Sequence, residues 1–191
     1  MRKLYLYMTM TFDGFIAGPK NELDWMVQST DQEMNDDTVA ILSRAEDGIM
    51  GYPTASGMIP YWSNVAKNQS ASKGERAIAQ AVNKIHGIVV SNKEEKLEFD
   101  NAELLVTKDD KTLVEAIRRL KERPGRDIGL PGGVRTAQEF VRLGLVDEYN
   151  LMIHPIAIGD GKRLFTQRVS LELVKTKTYS SGVMFVCYRP R

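Results

Sequence analysis

The residues best suited to chemistry lie where short apolar runs end in glycine or in polar groups. Asp127-Ile128-Gly129-Leu130-Pro131-Gly132-Gly133 passes straight into Val134-Arg135-Thr136-Ala137-Gln138-Glu139-Phe140, a helical pattern. Paired glycines let a backbone come close to a ligand, because no Cβ stands between them. The start of a helix presents unbonded N–H groups and the positive end of its dipole. Gly132 and Gly133 are thus a candidate seat for a phosphate, or else a plain strand-to-helix turn. The spacing is not G-x-G-x-x-G, and it is not a Walker loop, which needs Lys after the second glycine. A nucleotide fold here is therefore neither Rossmann nor P-loop. Gly51-Tyr52-Pro53-Thr54 is a second, weaker seat of the same kind. Ser91-Asn92-Lys93 brings hydroxyl, amide and ammonium groups to a strand exit, either to hold a phosphate or as an ordinary surface turn.

Asp13 follows the first apolar run, at a strand end where open α/β sheets place ligands. It is a candidate acid or substrate-orienting group, or else a cap on the Gly14 turn. Asp24 and Trp25 share a loop, where they either meet a flat substrate or close the edge of the core. There are two histidines and one cysteine, Cys187. His154 sits inside an apolar strand and reads as structural, and His86 has no evident partner. No metal cluster is expected from this set, and no Ser-His-Asp arrangement can be argued from it.

The elements that must position these groups follow from periodicity. The sequence predicts a buried strand over 4–11, then a loop to residue 28. A helix is expected from Thr30 or Asp31 to Arg44, capped by Thr30 with Glu33 completing a capping box. A strand over 47–51 leads into a short helix reaching Met58, and Pro60-Tyr61-Trp62 reads as a turn. Residues 64–74 read as an exposed loop. A helix over 75–84, strands over 87–91 and 102–107, and an amphipathic helix over 111–123 follow. The last buries Leu113, Val114, Ile117 and Leu120. After the glycine pair and its helix, a single long strand is expected over 146–158, with Pro155 marking an edge or bulge. Strands over 171–179 and 183–189 form a hairpin around Ser180-Ser181-Gly182. Strands alternate with helices, then run in series. The expected class is α/β: a mostly parallel central sheet between helices, with an antiparallel C-terminal hairpin.

With 191 residues, one domain over 1–191 is expected. The formal net charge of +1 gives no global field to recruit nucleic acid or an acidic membrane. No apolar run is long enough to span a bilayer, and no signal-peptide pattern opens the chain. A lone cysteine allows no internal disulfide, which suits the cytoplasm.

Four segments in register resemble one family. Thr11-Phe12-Asp13-Gly14-Phe15-Ile16-Ala17 is similar to its first strand exit, Met50-Gly51-Tyr52-Pro53-Thr54 to its Gly-Arg-x-Thr turn, and Val90-Ser91-Asn92-Lys93 to its adenosine-holding exit. Gly132-Gly133, Gly144-Leu145-Val146-Asp147-Glu148 and Pro155-Ile156-Ala157-Ile158-Gly159-Asp160-Gly161 resemble its C-terminal half. The family is the dihydrofolate reductase superfamily, in the branch related to the C-terminal reductase domain of riboflavin biosynthesis. The resemblance implies a three-layer sandwich and an oxidoreductase using NADPH on a small aminopyrimidine or pteridine-like substrate. The diphosphate would lie on Pro131, Gly132, Gly133, Val134, Arg135 and Thr136, near Gly51, Pro53 and Thr54. The 2′-phosphate would sit among Tyr52, Ser91, Asn92 and Lys93, and Thr9, Ile16 and Ala17 would touch the cofactor. Arg is usual where Tyr52 stands, and some members carry Arg at Val134. Tyrosine offers one neutral hydroxyl instead of a charged fork, so the grip on the 2′-phosphate falls to Lys93. Asp13 would be catalytic, with Asp24 and Trp25 at the substrate; Asp24, Asp31 and Glu33 are the candidates for the carboxylate that folate reductases carry at their first helix. The riboflavin-pathway enzyme has a fused deaminase domain that this chain lacks, which implies a paralogue with another substrate. The branch is typically dimeric, and the apolar Val183-Met184-Phe185-Val186 run is the expected pairing edge. The rival expectation is a non-catalytic nucleotide-binding or sensor protein that kept the fold.

Overall fold

The computed structural model describes residues 1–26 and 31–191. In chain order the strands are β1 (Leu4–Thr11), β2 (Phe15–Ala17), β3 (Ala45–Gly51), β4 (His86–Ser91), β5 (Ala102–Val106), β6 (Asp127–Leu130), β7 (Glu148–His154), β8 (Lys162–Arg163), β9 (Leu171–Thr178) and β10 (Met184–Pro190). The helices are α1 (Gln32–Leu42), α2 (Tyr52–Lys67), α3 (Lys73–Asn83), α4 (Asp110–Glu122) and α5 (Val134–Arg142). Eight strands form one sheet in the order β5-β4-β3-β6-β1-β7-β10-β9. Pairing from β5 through to β7 is parallel, and β10 joins β7 and β9 antiparallel. The small pair β2-β8 stands apart.

Both faces of the central strands are covered, so β1 reads as an almost unbroken apolar run. Alternation divides it between two layers. Leu4, Leu6, Met8 and Met10 pack with Ile117 and Leu120 of α4 and Phe140 and Val141 of α5. Tyr5 and Tyr7 turn the other way. The Tyr5 hydroxyl donates to the Ile41 carbonyl at 2.8 Å, and the Tyr7 hydroxyl bonds the Thr38 hydroxyl at 3.0 Å, which fixes α1 on the opposite face. Asp147 closes the start of β1: its Oδ2 accepts from the Leu4 amide and from Lys121 Nζ, each at 2.7 Å. Glu148 accepts from Arg44 at 2.6 Å. Burial alone would raise the Glu148 carboxyl, but hydrogen bonds from Arg44 and Asn150 outweigh it and hold the group below the usual range.

Several boundaries differ from expectation, each for a physical reason. Helix α2 runs through Pro60 to Lys67 instead of stopping at Met58. Pro60 is exposed, where the carbonyl it leaves unbonded faces water, and the apolar side of α2 packs over β3 and β4. Residues 64–67, expected in a loop, are its last turn. Strand β7 ends at His154, so Pro155 lies past it, and β7 is central and not an edge. β10 lies between β7 and β9, so Val183–Val186 is interior and the free edge belongs to β9. Val114 is 36% exposed, unlike the rest of its stripe. The N-cap of α1 is Asp31, which accepts from the Met34 amide; the expected cap, Thr30, lies outside the described residues. Among the described residues no helix is long and apolar enough to cross a membrane.

Candidate functional site

The connections around β3 and β6 leave in opposite directions. From β3 the chain goes by α2 and α3 to β4, toward one edge of the sheet. From β6 it goes by α5 to β7, toward the other. Neighbouring strands with divergent connections leave a crevice beyond their carboxyl ends, and such crevices bind ligands in open α/β sheets. Here the crevice is walled by the starts of α2 and α5. Gly51 caps α2 with φ −70° and ψ 152°, and Pro53 sits in the first turn, where no amide donor is needed. Gly133 caps α5 at φ +86°, a left-handed conformation that glycine adopts readily.

The two loops interlock. A Cβ on Gly133 would lie 2.7 Å from Thr54 Oγ1, and a Cβ on Gly51 would lie 2.7 Å from Thr136 Oγ1. Each glycine therefore clears space for the threonine hydroxyl of the other loop. The result is one cradle: two helix starts, two threonine hydroxyls and bare backbone at Gly132 and Gly133. Its donors and dipoles suit an anion that bridges both loops, such as a diphosphate.

Beside the crevice, β4 ends in Ser91, Asn92 and Lys93. Asn92 and Lys93 are exposed. Lys93 Nζ lies 3.5 Å from Glu95, and the Ser91 hydroxyl points to the same carboxylate at 3.5 Å. Sequence reasoning passed over Glu95, one of several charges in Lys93-Glu94-Glu95-Lys96. Tyr52 is half-buried in the cluster of Met50, Ala55 and Val89, so its ring serves α2 packing. Val134 packs against the main core, while Arg135 is exposed at the start of α5.

On the other side lies the exit of β1. The Thr11 hydroxyl donates to Asp13 Oδ1 at 2.6 Å, and the Ile158 and Gly159 amides donate to Oδ2 at 3.1 and 2.8 Å. The Thr11 hydroxyl first, then those amides, hold the Asp13 carboxyl below the usual range. Asp13 thus ties the loop after β1 to the loop after β7, and the Phe12 amide adds a bond to the Ile156 carbonyl at 2.8 Å. Ile16 and Ala17 are buried in β2, so only their backbone can face a ligand. Thr9 Oγ1 donates to Met26 Sδ at 3.4 Å. Trp25 is 7% exposed, packed edge-on against His154 with ring centroids 5.6 Å apart. Its indole N–H is buried with no hydrogen-bond partner among the described residues. Burial holds the His154 imidazole below its ordinary pKa. Asp24 is exposed beside it in the chain. Pro131 also borders a cavity on the α2 side. Among the described residues no group of three His, Cys, Asp or Glu could hold a metal ion.

Comparison with known proteins agrees with this architecture. The family model described as RibD C-terminal domain matches residues 2–185. The chain belongs to that family. A relative is the uncharacterized protein YyaP of Bacillus subtilis (strain 168), 32% identical over 190 residues, covering 98% of this chain and 94% of YyaP. Among solved structures, a diaminohydroxyphosphoribosylaminopyrimidine deaminase/5-amino-6-(5-phosphoribosylamino)uracil reductase from Thermotoga maritima superposes with a TM-score of 0.66 at 17% identity, over 100% of this chain and 57% of that one. Dihydrofolate reductase from Enterococcus faecalis, complexed with NADP(H), gives a TM-score of 0.63 at 14% identity, over 99% and 96% of the two chains. At these identities the solved structures establish the fold, which is that of dihydrofolate reductase.

Proposed function

We propose that the protein is an NADPH-dependent oxidoreductase that reduces a small aminopyrimidine or pteridine-like molecule. One observation carries this reading: the reciprocal packing of Gly51 against Thr136 and of Gly133 against Thr54, which makes a two-sided anion cradle at the switch point of the sheet. Membership in the RibD C-terminal domain family supports it, as does the likeness to a reductase complexed with NADP(H).

In this reading the Gly132 and Gly133 backbone, with Thr54 and Thr136, holds the diphosphate. Pro53 and Gly51 set the start of α2 against it, and Arg135 adds charge at the rim. Ser91, Asn92 and Lys93 receive the 2′-phosphate. Thr9 and the backbone of Ile16 and Ala17 border the reacting end of the cofactor, which supplies a hydride. Trp25 and Asp24 receive the substrate, and the unsatisfied indole N–H of Trp25 finds an acceptor there; leaving it unbonded would cost roughly 1–3 kcal/mol. Asp13 is a positioning residue. Its carboxylate is ionised near neutral pH and accepts hydrogen bonds at both oxygens, so the proton that accompanies the hydride comes from solvent. A second reading, a nucleotide-binding sensor without turnover, draws on the commitment of Asp13 to the loops, which leaves Asp24 as the acid candidate.

We place the protein in the cytoplasm, since its one cysteine, Cys187, allows no internal disulfide and suits a reducing compartment. We also propose that it works as a homodimer. The test is a titration of the purified protein with NADPH by cofactor fluorescence, followed by nicotinamide absorbance with a panel of aminopyrimidines and dihydropteridines. Saturable binding and oxidation of NADPH by one class are expected. Binding without turnover across the panel would favour the sensor, and no binding would end both readings.

A further inference from the structure

A cavity of about 530 Å³ lies between the sheet and the two helices α2 and α3, meeting the crevice at Pro131. Its floor is Gly48 and Met50 of β3 and Gly87 of β4, all buried. Its lid is the middle of α2, including Trp62, and its outer wall is the segment 98–101 that returns to β5. Folded interiors pack with few voids larger than a water molecule. A space of this size, in the range of small-molecule sites, is therefore not a packing fault.

The walls are fixed without any occupant. Asn83 Nδ2 donates to the Trp62 carbonyl at 3.4 Å, tying the end of α3 to α2. Asn101 Nδ2 donates to the Ile85 carbonyl at 3.1 Å, and the Gly87 amide donates to the Asn101 carbonyl at 2.9 Å, holding the outer wall to the sheet. Preformed walls lower the ordering cost that binding must offset.

The chemistry of the lining is one-sided. The apolar lining is aliphatic, from Leu42, Ile59, Val82 and Ile85, with two aromatic rings, Trp62 and Phe99. Glu98 and Asp100 stand exposed at the mouth, and among the described residues that line the cavity there is no Lys or Arg. An anion entering here would lose its hydration with no cation to replace it. A cation would pass two carboxylates and meet aromatic rings, which attract positive charge.

We propose that this cavity is a binding site for a flat aromatic molecule that is uncharged or positively charged, and that it excludes phosphorylated ligands. Of the residues expected at the cofactor, Pro131 lines the cavity, while the cradle residues Gly51, Thr54, Gly133 and Thr136 do not, so the site rests on its own lining.

The experiment is calorimetric titration of the whole protein with three probes of one ring system: 1-naphthol, 1-naphthylmethylammonium and 1-naphthyl phosphate. The first two are expected to bind, and the phosphate to bind at least tenfold more weakly than the ammonium. Ser63→Trp, which fills the cavity from α2, should weaken the ammonium probe at least tenfold. The exposed double variant Glu98→Lys/Asp100→Lys should reverse the preference between ammonium and phosphate without disturbing the fold. Equal binding of phosphate and ammonium to the unaltered protein would overturn the proposal. So would the absence of any probe binding, or an unchanged preference in the double variant. NADPH titrations of the same variants should match the unaltered protein, so a failed cavity and a failed cofactor seat give different results.

Discussion

At the scale of single residues, the proposed choice of cofactor turns on Glu95. It stands 3.5 Å from Lys93 Nζ and from the Ser91 hydroxyl, two of the three groups proposed for the 2′-phosphate. A carboxylate there competes with that phosphate. Exposed ion pairs are worth about 1 kcal/mol at most, so the effect is a factor of about five. Glu95→Gln should tighten NADPH by about that factor and leave NADH nearly unchanged. Lys93→Ala should do the reverse to NADPH, and parallel losses for both cofactors would remove the 2′-phosphate role. Asp13 makes a different prediction. Asn in its place keeps the shape but loses an oxygen that accepts backbone amides. Asp13→Asn is expected to raise KM and to speed proteolysis within 155–161, with kcat kept within a few-fold. A drop in kcat of about a hundredfold or more, the scale of general acid catalysis, would restore Asp13 as the acid. Its depressed carboxyl contributes stability that is present above the ordinary value near 4 and is lost as pH falls through the lower folded value. The loop contacts should therefore hold at neutral pH and loosen only in acid. Gly132 and Gly133 could be singled out as candidates because a glycine pair before a helix has a recognisable type, and the structure does bring them to the start of α5. Glu95 could not be, because four consecutive charged residues look alike until 92–101 folds back.

At the scale of elements, the site is made by two helix starts, and the readable one was the glycine pair. Its partner at Gly51 was a second, weaker candidate, a single glycine before an expected helix start. Proline was read as a stop, yet α2 runs through it and is 16 residues long. The cost of a missing bond on an exposed face is small beside the apolar surface that α2 covers. Strand β2 was missed because three residues between Gly14 and Gly18 carry no periodicity; it exists through its pairing with β8. The interlocking of the two starts gives a sharp test. Gly133→Ala places a side chain at φ +86° and drives its Cβ toward Thr54 Oγ1. The conformation alone costs roughly 1–2 kcal/mol, which at this chain length lowers Tm by roughly 2–8 °C. NADPH affinity should fall by more than tenfold, because the loop must shift to relieve the contact. Adding Thr54→Ala should recover part of the Tm and none of the affinity, since the hydroxyl itself is lost. If Gly133→Ala bound NADPH normally, the cradle would not be the diphosphate seat.

At the scale of the molecule, the alternation of strands and helices made the parallel sheet legible, while the order of its last strands was not. Val183–Val186 looked like an edge because it comes near the chain's end, but β10 is inserted between β7 and β9. Sequence order carries no information about which strand of a hairpin lies outside. The free edge is β9, where Leu173 and Val174 are each 54% exposed. On the same strand Lys177 is drawn to Glu33 and Asp37 of α1, so it guards the edge less than a free lysine would. Pairing of two β9 edges is the geometry we infer for the homodimer. Burying the exposed half of Leu173 and Val174 is worth about 1 kcal/mol per side chain, roughly 4 kcal/mol for two copies. Edge hydrogen bonds add about 0.5–1.5 kcal/mol each. Against these stands an association cost of about 4 kcal/mol or more. Burial at best offsets that cost, so the net gain comes from the edge hydrogen bonds and the dimer is weak. Sedimentation equilibrium should show that dimer, and Leu173→Lys/Val174→Lys should abolish it while leaving Tm and NADPH binding intact. A monomer for the unaltered protein at tens of micromolar would remove the dimer. A dimer that survives the double variant would move the interface away from β9.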